Sequence, residues 1–355
     1  MGDSPWSRRR FLRTAGAGGL GLLSLPALTA ARTKPRPLAQ PASPYMWTTA
    51  RFGCFSEPQA PEHGFINSLE VFEAECGRQI DVYRSYRNWG QPLINPPINH
   101  LLARTPPPRF YFSVHAFYDS KARNCIPWAD IAAGVYDSEI DSYASELLTI
   151  TAKTRVYMCF HHEMENEEIK CGTPEDFQAA YWYFRNRIQI INQVPNLTWV
   201  VTYMGNTFRG KHGGPDRWWP VDPPPGLAPD QLMGVDIYNR GLCHSKAWQS
   251  FERLTDIPWQ FATQVGRPIF IGESGCVESG DCGGTPDDGT LKGTWFDDAL
   301  VYMRDTGPSR GYTPLEAYCY SNVKGFNNGS YRIDTSSVAL QHFAAFAADS
   351  FFSLN

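Results

Sequence analysis

The amino-acid sequence predicts a (β/α)8 barrel (TIM barrel), an α/β fold in a single domain. Eight runs rich in apolar, β-branched and aromatic residues recur along the chain, most of them followed by apolar residues at three- and four-residue spacing. Strands alternating with helices build a parallel sheet, and eight such units close it into a barrel. No Gly-rich phosphate loop follows any strand, so an open, doubly wound sheet lacks its usual signature.

The elements follow in chain order. Residues 1–31 contain a charged segment with Arg8, Arg9, Arg10 and Arg13, then a short Gly-rich apolar run, then small residues near Ala31. The apolar run is too short for a membrane span, and Ser7 to Arg13 match the twin-arginine pattern, so an export signal is expected. A Pro-rich linker at 32–46 leads into a domain at 47–355. Strands are expected at 51–57, 80–89, 109–117, 155–163, 197–206, 232–239, 268–275 and 315–322. Helices are expected at about 130–150, 173–193, 247–265, 289–305 and 336–350. Thr173, Pro174 and Glu175 supply a cap, a first-turn proline and an early acid for the second of these.

Composition excludes some functions. Of 355 residues, 42% are hydrophobic and 19% charged, which is ordinary for a soluble globular protein. The whole chain carries −4, and the first 31 residues set four arginines against Asp3, which leaves −7 for the rest. Such a domain offers no basic patch to nucleic acid or to an anionic membrane. Nine cysteines fall after the export signal, an odd number in a chain expected to meet an oxidising compartment. Cys276 and Cys282 bracket a short loop and are the expected disulfide, while Cys159 and Cys319 lie inside apolar strands and read as buried thiols. Zinc-type spacing of paired Cys or His is absent.

In such barrels the chemistry sits at the C-terminal ends of the strands. The fourth strand ends in "FHHEM", which carries His161, His162 and Glu163, and the seventh in "IFIGESG", which carries Glu273. Two carboxyl groups on separate strands can be held in different protonation states, as glycoside hydrolysis requires. The bland reading of Glu163 is a solvated strand end, and Glu165, Glu167 and Glu168 read as a solvated loop. Glu273 stands in G-E-S-G after an apolar strand, and its glycines allow close approach of backbone or ligand.

These motifs resemble those of family 26 glycoside hydrolases of clan A, many of which are β-mannanases. "IAAGVYDSEIDSYASEL", "WVVTYMGN" and "GVDIYN" resemble further parts of that family, so the similarity spans roughly 51–325. The resemblance implies a secreted, retaining enzyme acting as a monomer on a β-linked polysaccharide, mannan or a related β-glycan, with no cofactor and no metal. It implies Glu163 as general acid/base and Glu273 as nucleophile, 110 positions apart. It also implies that Tyr238 donates its hydroxyl to Glu273 and that His162 lines the sugar site. The chain departs from the family pattern at Cys159, where the family has Arg, and in the eighth strand, "YCYSN".

Trp89, Trp128, Trp218 and Trp219 fall in or near loops after strands and are candidates to stack on sugar faces. The Pro-rich insertion at 207–229 is the expected source of cleft walls. Two other classes stay open. One is a non-catalytic carbohydrate-binding barrel. The other is a metal-dependent hydrolase drawing on His115, Asp119, His161 and His162. One of the two adjacent histidines is expected to serve a structural hydrogen bond.

Overall fold

In a computed structural model of the chain, the described residues are 49–56, 64–118, 124–244, 247–324 and 329–352. The expected export signal and linker lie outside them, as does Asp119.

Strands β1 (Arg51–Ser56), β2 (Val82–Asn88), β3 (Arg109–His115), β4 (Val156–Phe160), β5 (Leu197–Met204), β6 (Leu232–Asn239), β7 (Ile269–Cys276) and β8 (Leu315–Asn322) pair in sequence order. Every pairing is parallel, and β8 returns to β1 to close the barrel. All five residues of β4 are buried, which is why an unbroken apolar run suits it better than alternation.

Alternate residues fill the barrel. Val82, Tyr111, Tyr157, Cys159, Val200, Phe270, Ala317 and Cys319 form one interior cluster. The rings of Tyr111 and Tyr157 lie 4.6 and 4.9 Å from that of Phe270. Glycine balances this bulk at two positions. A Cβ on Gly53 would come 2.6 Å from the Val82 carbonyl, and one on Gly234 would come 2.5 Å from Thr202 Oγ1. Close packing leaves no room for either.

Helices α1 (Gly64–Cys76), α2 (Pro96–Leu102), α3 (Trp128–Ala132), α4 (Asp137–Thr151), α5 (Glu168–Cys171), α6 (Pro174–Asn186), α7 (Gly241–His244), α8 (Phe251–Gln264), α9 (Thr290–Val301), α10 (Gly307–Ser309) and α11 (Ser337–Ala348) complete the fold. The α4 face Ile140, Tyr143, Ala144, Leu147 and Ile150 is buried, as its spacing predicts. Thr173 and Asp176 cap α6 reciprocally. The helix expected at 130–150 is two helices, because Gly134 between them takes a φ of 81°. Helices α1 and α2 were not expected; α2 is about two turns long, led by Pro96 and capped by Asn95. Among the described residues no helix is long and apolar enough to cross a membrane.

Three expectations are corrected. Cys276 does not pair with Cys282: it is a buried thiol within β7, while Cys282 bonds Cys243, and Cys125 bonds Cys171. Proximity along the chain is overridden because β7 points Cys276 inward, toward Asn239 Nδ2 at 3.3 Å. Of the 207–229 insertion, Arg209 lines a cavity at the barrel mouth, and much of the rest packs against α6 and the lead-in to β6. The insertion's carbonyls at Arg217, Pro220 and Val221 accept from Gln178, Gln231 and Trp182. The four tryptophans are also packed inside. Trp89 is ringed by Tyr136, Tyr143, Phe160 and Phe184, Trp218 lies against Trp128 and Phe177, and Trp219 lies against Phe261. Each buries a large apolar surface that outweighs its loop-end position in the sequence. Cys159 and Cys319 are buried thiols.

Candidate active site

After β4 the chain leaves the sheet through two left-handed residues, His161 (φ 50°) and Glu163 (φ 52°). Non-glycine residues adopt this conformation only where their surroundings enforce it. Here the enforcement is backbone pairing: His161 N donates to the Val114 carbonyl and Glu163 N to the Thr202 carbonyl, both at 2.8 Å. The kink separates the two histidines. His161 turns into the protein, where its Nδ1 accepts from Ala116 N at 3.3 Å and Trp128 Nε1 at 3.1 Å. It is the structural one of the pair, and Trp128 is its partner. His162 faces the barrel mouth, its ring 4.2 Å from that of His115.

Glu163 and Glu273 line one cavity of about 600 Å³ at the C-terminal ends of β4 to β7, together with Asn206, Asp236, Tyr238 and Arg240. Their surroundings differ. Burial raises the Glu163 carboxyl to about 8, with the charges of Glu273 and Glu165 adding to it. Asn166 Nδ2 donates to Glu163 Oε2 at 3.3 Å. Glu273 sits among donors. Tyr86 donates to Oε1 at 2.6 Å and Tyr238 to Oε2 at 2.7 Å. Arg84 Nη2 lies 3.6 Å from Oε1. Burial holds both tyrosine hydroxyls well above their ordinary range, so they remain donors.

Arg84 has no solvent exposure and lies inside the barrel. Its guanidinium is stacked 3.7 Å from the Tyr111 ring centroid and 4.3 Å from that of Tyr86, and Nη1 donates to Ser113. A cation so enclosed needs a counter-charge, and Glu273 supplies it. His162 Nε2 is 3.7 Å from the same Glu273 oxygen. Burial, then His115 and Arg84, push the His162 pKa well below its ordinary value, so the ring is neutral.

Asp236 is buried beside them, and neither of its oxygens has a hydrogen-bond partner among the described residues. Burial, then Glu273 and Glu163, push its carboxyl well above the ordinary range. The glycines of G-E-S-G make room for β6. A Cβ on Gly272 would come 2.8 Å from Asp236 Oδ1, and one on Gly275 would come 2.8 Å from the Tyr238 ring. The close approach those glycines allow is that of two side chains of this chain. Ser321, at the end of β8, lies 2.9 Å from the Tyr238 hydroxyl.

The acidic stretch after Glu163 is a further correction. Glu165 and Glu167 are buried, and Glu168 pairs with Arg217 at 2.7 Å. Glu165 Oε1 accepts from Met204 N at 2.7 Å and Thr207 Oγ1 at 2.6 Å, which ties the β4 loop to the end of β5. Its carboxyl is raised by burial to about 7.

Among the sequence candidates, then, the structure gathers Glu163, Glu273, Tyr238 and His162, and it keeps Trp89, Trp128, Trp218 and Trp219 in the packing. Arg84, Tyr86 and Arg240 were not anticipated. The signal for Arg84 is present in "VYRSYRN": an arginine at an inward position of a closed barrel has to meet an acid. His162, Asp236 and Glu273 each present one ligand atom within 4.8 Å of the others, so among the described residues these three could hold a metal ion.

No protein-family model and no curated protein sequence matches the chain. Solved structures share its fold. A modular endo-β-1,4-mannanase of glycoside hydrolase family 26 from Cellulomonas fimi is 16% identical, with a TM-score of 0.56 over 86% of this chain and 72% of its own. A family 26 β-mannanase from Bacteroides ovatus is 13% identical, at 0.53 over 85% and 89%. The catalytic domain of a family 26 endo-β-1,4-mannanase from a Bacillus species is 14% identical, at 0.53 over 85% and 86%.

Proposed function

We propose, for a chain with the fold of family 26 mannanases, that it is a retaining glycoside hydrolase acting on a β-linked polysaccharide, mannan or a related β-glycan. The observation that carries this reading is the contrast between two glutamates facing one cavity. Glu163 is half-buried and holds a proton up to about pH 8, which suits a group that must protonate the leaving oxygen. Glu273 accepts from Tyr86 and Tyr238 with Arg84 beside it, which suits a carboxylate that must attack the anomeric carbon. In the first step Glu163 gives its proton to the departing sugar and Glu273 forms the glycosyl ester. In the second, Glu163 takes a proton from water as the water displaces Glu273, which regenerates both groups.

The test is reducing-sugar release from mannan, glucomannan, lichenan, cellulose and xylans by the wild-type protein and by Glu273→Gln. Release from one polymer that disappears in the variant supports the reading. Release that persists in Glu273→Gln overturns the two-glutamate mechanism, and silence with binding retained overturns the hydrolase reading in favour of a carbohydrate-binding barrel. Export of the folded chain by the twin-arginine route belongs to the same reading. Disulfides Cys125–Cys171 and Cys243–Cys282 fit an oxidising compartment.

A second reading has one observation in its favour. The two bare oxygens of Asp236, close to His162 and Glu273, would suit a divalent cation. Against it, both Glu273 oxygens already accept from tyrosines, and the Arg84 guanidinium lies where a second cation would be repelled. Activity abolished by a chelator and restored by zinc would favour the metal.

A further inference from the structure

Lys292 is the one fully buried lysine among the described residues, and the mechanism above does not use it. It stands near the start of α9, and its ammonium reaches across to the segment between β8 and α11. There it donates to the Arg332 carbonyl at 2.6 Å, to Thr335 Oγ1 at 2.8 Å and to the Ser330 carbonyl at 3.4 Å. A buried ammonium is costly unless its donors are matched, and these three acceptors match them. All three lie on one short stretch, so the ammonium fixes that stretch in place. Backbone bonds fix it further: Ser330 N donates to Asp281 Oδ2 at 2.9 Å and Tyr331 N to the Val323 carbonyl at 3.0 Å.

The stretch carries Tyr331, which is 3% exposed and packs with Val277 and Cys243. Its ring lies 4.7 Å from that of Tyr238, inclined by 36°. A Cβ on Gly275 would come 2.9 Å from Tyr331 Cγ as well as 2.8 Å from the Tyr238 ring, so the three groups meet without slack. At the far end of its ring, the Tyr238 hydroxyl donates to Glu273 Oε2 at 2.7 Å and meets Ser321 Oγ at 2.9 Å. Hydrogen bonds hold only that tip; the face of the ring is held by packing.

We infer that Lys292 and Tyr331 are positioning residues for the nucleophile: the ammonium fixes the stretch, Tyr331 fixes the tilt of Tyr238, and Tyr238 aims Glu273. The inference rests on the glycoside-hydrolase reading, since it needs Glu273 to attack. A misplacement of about 1 Å at a reacting group can cost about a hundredfold in rate, so a ring that never touches substrate can still govern the first step.

The test compares Tyr331→Leu, which removes the ring, with Tyr331→Phe, which keeps it. The substrates are the dinitrophenyl β-glycosides of mannobiose and cellobiose. Dinitrophenolate leaves without a proton, so the pre-steady-state burst reports on Glu273 rather than on Glu163. Tyr331→Leu should lower the burst rate about tenfold or more, the loss expected when a hydrogen bond to a charged group is broken, and Tyr331→Phe should retain it. Tyr238→Phe sets the limit: adding Tyr331→Leu to it should cost nothing further, because the contact that Tyr331 supports is already gone. Lys292→Met, which keeps the length and loses the charge, should match Tyr331→Leu.

Crystal structures of the two Tyr331 variants read the geometry without turnover. The Tyr238 hydroxyl should leave hydrogen-bond distance of Glu273 in Tyr331→Leu and keep it in Tyr331→Phe. A contact kept in Tyr331→Leu, equal losses in both variants, or a loss that adds to that of Tyr238→Phe overturns the inference. A lowered melting temperature with the burst rate unchanged also overturns it, because the role is then structural alone. A full burst in Lys292→Met overturns the part given to Lys292. A wild-type protein that turns over neither glycoside and no polymer overturns the hydrolase reading, and the Tyr238–Glu273 distance in the variants still decides the positioning.

Discussion

A carboxylic acid that keeps its proton to about pH 8 serves as a proton donor only below that value, so the alkaline limb of kcat/KM against pH should bend near 8. Activity rises as pH falls through that point, because protonated Glu163 is the active form. Glu163→Gln should lower kcat/KM by about 10²–10⁴ on substrates with poor leaving groups and remove that limb. A limb unchanged in Glu163→Gln would assign it to another group. Tyr86 offers a second test on the same scale. Its hydroxyl is one of two donors to Glu273, and Tyr86→Phe removes only that oxygen. A hydrogen bond to a charged group contributes about 1.5–3 kcal/mol, so kcat should fall roughly tenfold to a hundredfold with KM less affected. An effect on KM alone would make Tyr86 a substrate contact instead.

Among the elements, the loops after β6 and β7 are joined by Cys243–Cys282, which closes a segment of 39 residues. Replacing both cysteines by serine should cost about 2–4 kcal/mol in urea unfolding. It should also weaken substrate binding, since His244 stands on the freed segment and Arg240 lies just before it. A loss of stability with KM unchanged would confine the bridge to a structural role. The same loops mark what the sequence could and could not tell. The two acids were legible because the apolar runs of β4 and β7 give way to Glu163 and Glu273, a change of polarity that a one-dimensional pattern records, even though β7 runs on to Cys276. The Cys276–Cys282 expectation failed because chain distance says nothing about which face of β7 a side chain takes. Trp218 was misplaced for a related reason: a bulky ring in a Pro-rich loop packs wherever a neighbouring helix offers a pocket, here beside Trp128 and Phe177.

For the molecule as a whole, the barrel was legible because each of its eight units repeats one polarity rhythm, whereas the polar network inside it was not. Arg84, Ser113 and Glu273 come from three strands and meet only after closure. Burying acids has a consequence for stability. Glu165 has a folded pKa of about 7 against an ordinary value of 4.5, and Glu163 one of about 8. With the folded value the higher, their contribution is complete below about pH 4.5 and is lost as pH rises through 7 and then 8. The melting temperature should therefore fall between pH 5 and pH 9, and Glu165→Gln should flatten the earlier part of that fall. Scanning calorimetry at several pH values decides it; a melting temperature that climbs over this interval would contradict the burial of these groups.

The two glycines of β7 carry one more implication. Because a methyl at 272 would meet Asp236 and one at 275 would meet the Tyr238 ring, G-E-S-G and D-I-Y form a lock and its matching key on adjoining strands. Anyone transplanting the seventh-strand motif into another barrel would have to carry the sixth along with it. Libraries that randomise one strand while holding the other fixed will return mostly inactive clones, whereas those that vary both together can find new shapes for the same joint.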